Sequence, residues 1–547
     1  MWRPFSTPTG AIGAPRSRVS GAALSLAASL CLLAAASPSP VPSASRIIQL
    51  HQRAMRPDAA VPAPASTELL GYVEGNGLFG TFRQYRQGAG TRSEVRLGPL
   101  DLVTVGDGKR LWESDQNGSV RELTGVLRAR ALTSDFIAGG GYLNDPATLT
   151  YLGVEASEGR PCYRFAVQAP RGDRQWICID ARTYLLDRQE FVEGQGIASV
   201  DFSEYRTVDG SAVAYRWVQR DAGSPGGVVF TVDDVIDGRA LDPTLFERPP
   251  PRYVELAAPR AVVSLRRTPV GYEAPVEIAG RRFWFLLDSG SQGIIVDAAV
   301  ADALGLHGRG SLSAVGAGVV GGLAVARVAA LSVGGATLRD VTVGILDLSQ
   351  ATGGALVADG VLGFPFFDAA VLRFDPRAAT LEIASPTDAD LTADGERLTV
   401  QLDRRVPVVE AGFAGGGTAP FVIDTGSSAE LLLYPDFVRR HPGIAPLDLE
   451  QHRGVGIGGQ VSMRSATVPQ LTLGSVALYN VRAGLVLASR GAFSDRFDAG
   501  NIGLGILRNF VITFDEPAGA LYLLRGRDFD DGRFRPQYEP LGLPHVR

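Results

Sequence analysis

Two aspartates carry the clearest chemistry in this sequence. Each follows an apolar run and opens a turn: Asp288-Ser289-Gly290 in "FWFLLDSGSQG", and Asp424-Thr425-Gly426 in "PFVIDTGSSAELLLY", 136 residues later. A strand that enters a core does not end on an unpaired carboxylate unless something there uses it. Two carboxyls held at hydrogen-bonding distance cannot both ionise easily, so they share a proton, and one apparent pKa falls while the other rises. Such a pair is base and acid at once. One member takes a proton from a water held between them and the other donates to a carbonyl oxygen, which is peptide hydrolysis without metal or covalent intermediate. Ser289 and Thr425 offer hydroxyls to brace a partner lobe. Gly290 and Gly426 allow a tight turn with backbone N–H groups aimed at the carboxylates.

The two acids belong to a repeat. "VGAGVVGGLAVARVAALSVGGATLRDVTVGI" from Val315 aligns with "VGIGGQVSMRSATVPQLTLGSVALYNVRAGL" from Val455 at a constant offset of 140. Gly316 meets Gly456, Gly318 meets Gly458, Leu331 meets Leu471 and Val341 meets Val481. Further on, Gly363 pairs with Gly503 and Phe374-Asp375 with Phe514-Asp515. The acids differ by 136, so four residues are inserted between acid and glycine-rich segment in the second copy. Two homologous units associate about a pseudo-twofold axis, which carries the acid at the end of each buried strand to one place.

These residues resemble the retropepsin-like aspartic proteases, in which D-[ST]-G-[AS] follows an apolar strand and a later apolar-apolar-Gly closes a crossed-loop motif. The resemblance covers residues 262–526. It implies a bilobal, mainly β acid protease of two retropepsin-like barrel lobes, 262–385 and 398–526, joined by a linker at 386–397. It also implies Asp288 and Asp424 as the catalytic dyad, with Val361-Leu362-Gly363 and Ile502-Gly503 as crossed-loop segments. Asn501 departs from the usual apolar residue. Viral members dimerise to pair their acids, whereas this chain reads as a fused pair: a monomer with an intramolecular pseudo-dimer, acting on a polypeptide substrate. Gly316, Gly318, Gly456 and Gly458 are expected at the tips of two mobile hairpins that close over substrate. Gly316, Gly318 and Gly321 also spell G-x-G-x-x-G with Asp340 about twenty residues on, as in a dinucleotide site. The repeat argues against that reading, since the second copy loses the third glycine and has Asn480 in place of Asp340.

From the end of a short N-terminal helix to about residue 248, segments such as "GTFRQYRQG", "CYRFAVQA", "RQWICID" and "IASVDFSEYRTVDG" alternate apolar and polar residues and stop at Gly, Asp or Asn, the pattern of hairpins with one solvated face. The helix is "RIIQLHQRAM", with Ile47, Ile48, Leu50 and Met55 toward one side. The strand rhythm and the closing "LDPTLFERP" resemble the LolA/LolB-like lipoprotein-carrier fold, an incomplete antiparallel barrel, over residues 45–250. That resemblance implies a concave apolar surface, with Trp112, Trp176 and Trp217 as candidate lining. It also keeps open a second function: a non-catalytic binding protein for an apolar or lipid ligand, with a relic protease unit. The Pro-rich segment 251–261 is a stiff linker, and 527–547 is a tail.

The 547 residues carry a net charge of about −5, and Lys109 is the sole lysine. No basic run suits a nucleic-acid groove. Arg3, Arg16 and Arg18, the apolar run "GAALSLAASLCLLAAA", and Ala34 and Ala36 before Ser37 have the order of a signal peptide over residues 1–36. The expectation is an exported protein, periplasmic or secreted, with no membrane span after cleavage. Leu30 before Cys31 argues against lipidation. Cys162 and Cys178 flank an alternating stretch around a Pro-Arg-Gly-Asp turn, and a disulfide is expected for an oxidising compartment. The five histidines are scattered, and the sequence calls for no metal and no cofactor.

Overall fold

The computed structural model describes residues 41–529, except 59, 63, 158, 195, 223–225, 388–394, 404, 415–416, 445–446, 489 and 527–528. The expected signal peptide, most of the inter-lobe linker and most of the tail lie outside the described residues. The chain is mainly β.

The N-terminal region is one sheet of thirteen antiparallel strands in which nearly every strand pairs with its neighbours in sequence. Its first strand, Ser66–Gly75, pairs with its last, Val228–Asp237, so the meander curls back on itself. The sheet stays open between its two edge strands, Val120–Glu122 and Leu149–Ser157. The helix Gly125–Ala138 and the short Gly141–Asn144 bridge those edges, an element the strand rhythm did not reveal. Helix Ala44–Met55 buries Ile47 and His51, while Ile48 and Met55 sit at the rim of the same cluster. His51 is held by the Tyr184 carbonyl at 2.7 Å and the Tyr142 hydroxyl at 2.9 Å. Burial drives its pKa down to about 4, the Tyr184 bond opposing, so it is a neutral core residue. Cys162 and Cys178 are disulfide-bonded across adjacent strands, with Cα atoms 5.5 Å apart.

Two sheets of similar design follow, one per repeat, and a third sheet ties them together. In that six-stranded sheet, Val371–Asp375 pairs antiparallel with Phe510–Asp515. Arg373 lies opposite its own repeat counterpart Thr513, with Leu372 opposite Phe514 and Phe374 opposite Ile512. That crossed pairing is what a twofold axis between two copies of one unit produces. A single large core runs through both lobes, from Phe285 and Val296 to Phe421 and Ile502.

The N-terminal sheet rests against lobe 1. Val325, on the lobe-1 strand Val319–Val333, is buried among Val73, Leu78, Phe82, Tyr215, Phe230 and Val232 of that sheet, with Leu312 and Trp217 at the edge. Backbone bonds join Ser311 N–H to the Asn76 carbonyl at 2.8 Å, and Asn117 spans the Thr342 main chain. The three expected tryptophans do not converge. Trp217 stacks on Phe230, Trp112 is core with Val105 and Val120, and Trp176 lies under Arg164.

Candidate active site

Each candidate acid sits where its sheet makes a parallel crossing. Strand Arg281–Leu287 ends at Asp288 and runs parallel to Gly360–Leu362; strand Thr418–Asp424 runs parallel to Gly500–Gly503. The turns that follow thread against those crossing strands, Phe364 N–H reaching the Ser291 carbonyl and Leu504 N–H the Ser427 carbonyl. A loop held this way has one geometry.

Ser289 and Thr425 lock the two turns together. Ser289 N–H donates to Thr425 Oγ1 at 2.9 Å, and Thr425 N–H to Ser289 Oγ at 3.0 Å. The hydroxyls reach onward across the axis, Ser289 to the Ile423 carbonyl at 2.7 Å and Thr425 to the Leu287 carbonyl at 2.8 Å. Both residues are buried and every polar atom of the lock is satisfied. Gly290 and Gly426 donate to the carboxylates of their own turns at 2.9 and 3.0 Å. A Cβ on Gly290 would lie 2.8 Å from the Asp424 carboxyl carbon, and one on Gly426 2.3 Å from that of Asp288. Glycine is required here because the opposite carboxylate occupies the space of a side chain.

Asp288 and Asp424 interact with one another at the axis, each half-buried. Asp288 is pushed well above the usual carboxylate range, first by loss of water and then by the Asp424 charge. Asp424 is also raised by burial, but a side-chain bond from Asn501 and backbone bonds from Gly426 and Ser427 pull it back. The pair therefore holds a proton well above the pH at which an isolated carboxyl loses it.

The four hairpin-tip glycines meet across the lobes. Gly318 N–H donates to the Ile457 carbonyl at 3.1 Å, and Gly458 N–H to the Ala351 carbonyl at 2.9 Å. A Cβ on Gly316 or Gly318 would fall 2.6 Å or 2.5 Å from the facing backbone oxygen. Ala317 packs into a lobe-2 cluster with Leu432, Val461, Val486 and Phe493, and Ile457 packs against a lobe-1 cluster that includes Leu286 and Val361. The G-x-G-x-x-G string is a hairpin turn between two strands, with no helix after it. Asp340 and its counterpart Asn480 both take left-handed backbone angles, φ +53° and +52°, as paired irregularities in their strands. A nucleotide site is excluded by that geometry.

Asn501 and Tyr434 are the site residues that sequence reading missed. The signal was present as a polar residue where the motif wants an apolar one. It implied altered packing, whereas the amide donates to Asp424 Oδ2 at 2.5 Å. Among the described residues no group of three or more His, Cys, Asp or Glu side chains is arranged to hold a metal, and no helix is long and apolar enough to cross a membrane.

Residues 274–366 and 409–505 each match the model of an aspartyl protease family. Among curated proteins no sequence match is found. Among solved structures, the chain is similar to a DUF1329 family protein from Desulfovibrio piger, at 15% identity, covering 37% of this chain and 96% of that one with a TM-score of 0.28. It is similar also to a LolA superfamily protein from Nitrosomonas europaea, at 15% identity, covering 38% and 99% with a TM-score of 0.27.

Proposed function

We propose that the chain is an exported aspartic endopeptidase whose active site is complete in one polypeptide. The observation that carries this reading is the reciprocal Ser289–Thr425 lock, beside which two half-buried carboxyls face each other at the axis between the repeats. A water bound between Asp288 and Asp424 loses a proton to the ionised carboxylate as it attacks the peptide carbonyl. The protonated partner donates to the carbonyl oxygen, and the proton is returned when the amine leaves. The hairpin tips part to admit an extended polypeptide and close over it, excluding water. Export is supported by the order of charged, apolar and small residues at the start of the chain and by the Cys162–Cys178 bridge.

A carrier of apolar ligands is the competing reading, and packing disfavours it. The apolar face of the N-terminal sheet is occupied by the lobe-1 hairpin over Val73, Phe82 and Phe230, and by helices over Phe165 and Ile177. Incubating protein lacking residues 1–36 with a diverse peptide mixture across pH, beside the D288N and D424N variants, tests the proposal. Cleavage products that appear with the wild type and with neither variant are expected. Their absence at every pH from 3 to 8 would defeat it. Specific activity is further expected to hold constant over a wide dilution series, because the acids are joined by one chain; a fall tracking loss of a dimer would place them on separate chains.

A further inference from the structure

A buried amide stands beside one carboxyl of the pair and not the other. Asn501 lies on the strand Gly500–Gly503, level with Val422 of the parallel strand that ends at Asp424. Its Nδ2 donates to Asp424 Oδ2 at 2.5 Å, and the Tyr434 hydroxyl donates to its Oδ1. Both side chains are buried. Tyr434 is fixed in turn, its N–H bonded to the Ala499 carbonyl at 2.8 Å and its ring packed on Phe493 with centroids 5.8 Å apart. At the counterpart positions lobe 1 carries Val361 and Asp297; valine has no polar atom, and the Asp297 carboxylate accepts from Ala299 and Leu348 N–H, so neither offers Asp288 a side-chain donor. Each carboxyl takes backbone N–H groups from its own turn, Gly290 and Ser291 for Asp288, Gly426 and Ser427 for Asp424. Only Asp424 has a side-chain amide donor as well.

An amide nitrogen donates and does not accept, so it stabilises an ionised carboxylate more than a protonated one. Which end of an amide faces its neighbour is set by the rest of its bonding. A phenol is protonated below pH ~10 and so presents a hydrogen to Oδ1, which leaves Nδ2 for the carboxylate. We propose that Asn501, oriented by Tyr434, is a positioning residue that breaks the symmetry of the dyad, keeping the negative charge on Asp424 and the shared proton on Asp288. The inference rests on the peptidase reading and deepens it. Asp424 takes the proton from the attacking water, and Asp288 donates to the carbonyl oxygen. Two lobes with the same carboxyl, hydroxyl and glycine thus hold different roles because of one amide.

The test reads where the charge sits without depending on turnover. An ionised carboxylate opens the ring of an aryl glycidyl ether: an ester C–O bond forms at the terminal carbon, the ring C–O bond breaks, and the alkoxide takes its proton from the partner carboxyl. Digestion and mass spectrometry locate the ester. In the wild type it is expected on Asp424, at about tenfold or more over Asp288, as one charge-assisted hydrogen bond implies. In Asn501→Val, which installs the residue lobe 1 already packs at this place, the two sites are expected to be labelled about equally. Tyr434→Phe removes only the hydroxyl, keeps the ring packing, and is expected to fall between them. The acid limb of the kcat/KM profile is expected to move up by about one pH unit in Asn501→Val, because the base loses the donor that held it ionised. A purely structural role for Asn501 would lower turnover at every pH without moving the limb. An ester on Asp288 in the active wild type, or a labelling ratio unchanged by Asn501→Val, overturns the assignment alone. No ester on either aspartate together with no turnover overturns the peptidase reading and the assignment with it.

Discussion

Lobe 1 and lobe 2 share a fold and differ on their outer faces. On lobe 1 the face carries Leu312, Ala324, Val325, Thr342 and Asp368; at the same repeat positions lobe 2 carries His452, Arg464, Ser465, Arg482 and Arg508. The first set meets the N-terminal sheet. Val325 and Leu312 enter its apolar cluster, Thr342 is bonded by Asn117, and Asp368 accepts from Ser119. Lobe 2 closes the equivalent side with its own residues: Glu430, the one extra residue between Ala429 and Leu431, pairs with Arg482 where lobe 1 has Thr342. It keeps an open cleft of about 240 Å³ there, bordered by Ser428, His452, Met463 and Arg508. One copy of the duplicated unit has become a docking surface and the other has stayed solvated. The lobe-1 hairpin is thereby braced by the N-terminal domain along the strands that carry its tip.

The largest effect is expected where the lobes are alike. Asp288→Asn and Asp424→Asn are each expected to reduce turnover by at least about 10³-fold, with the circular dichroism spectrum retained, because a neutral amide cannot carry the shared proton. Near-native turnover in either variant would show that the lobes do not act as a pair.

Where the lobes differ, the same change should have different consequences. Val325→Asp places a charge in the cluster that joins lobe 1 to the N-terminal sheet, and is expected to cost more than about 3 kcal/mol in denaturant unfolding. Ser465→Asp, at the counterpart position beside the open cleft, is expected to stay within about 0.5 kcal/mol. Equal costs would mean that the brace is not specific to lobe 1.

Much of this contrast was open to sequence reading, and part was not. The meeting of the two acid-bearing turns, the bonds between them and the hairpin tips were legible because they are written twice, and a near-constant offset separates signal from chance. The disulfide was legible because two cysteines bracketed an alternating turn. The docking face was not. Leu312 and Val325 look like ordinary strand residues, and nothing in one copy says that its apolar face is covered by a distant domain. The helix Gly125–Ala138 was lost among strands because its apolar residues make no clean stripe, with only Thr133 and Ile137 buried. Asn501 was visible only as an exception, since a buried amide takes its meaning from the two groups it touches.

A third expectation concerns the junction itself and has a definite sign. Burial pushes the Asp368 pKa up to about 6, the Ser119 bond opposing. Burial and the Asp368 charge push Glu516 well above the usual range, and neither of its oxygens has a partner. A carboxyl raised in the folded state contributes stability that is complete below its unfolded pKa and is lost as pH climbs through the folded one. Stability measured at pH 4 and pH 8 should therefore differ less in Asp368→Asn than in the wild type, by about 3 kcal/mol for a shift of some two pH units. Glu516→Gln should flatten the curve further toward alkaline pH. A wild-type curve that matched both variants would show that these acids do not feel the junction.

The smallest effect separates the glycines that lie where the two hairpins meet from one that merely completes a motif. Gly318 faces the backbone of Gly458 so closely that a methyl would fall 2.5 Å from its carbonyl oxygen, whereas a methyl on Gly321 meets nothing within 4 Å. Neither residue has a positive φ, so strain in the backbone does not distinguish them. Gly318→Ala must push the tips apart, because the opposing atoms are main chain and cannot swing away. The expected result is a fall of about tenfold in kcat/KM, some 1.4 kcal/mol, with thermal stability nearly unchanged, since the cost falls on closing over substrate and not on either lobe's core. Gly321→Ala should leave both quantities where they are. If the two variants behaved alike, the tip contact would be incidental to turnover, and the resemblance between the lobes at their hairpins would be a matter of folding alone.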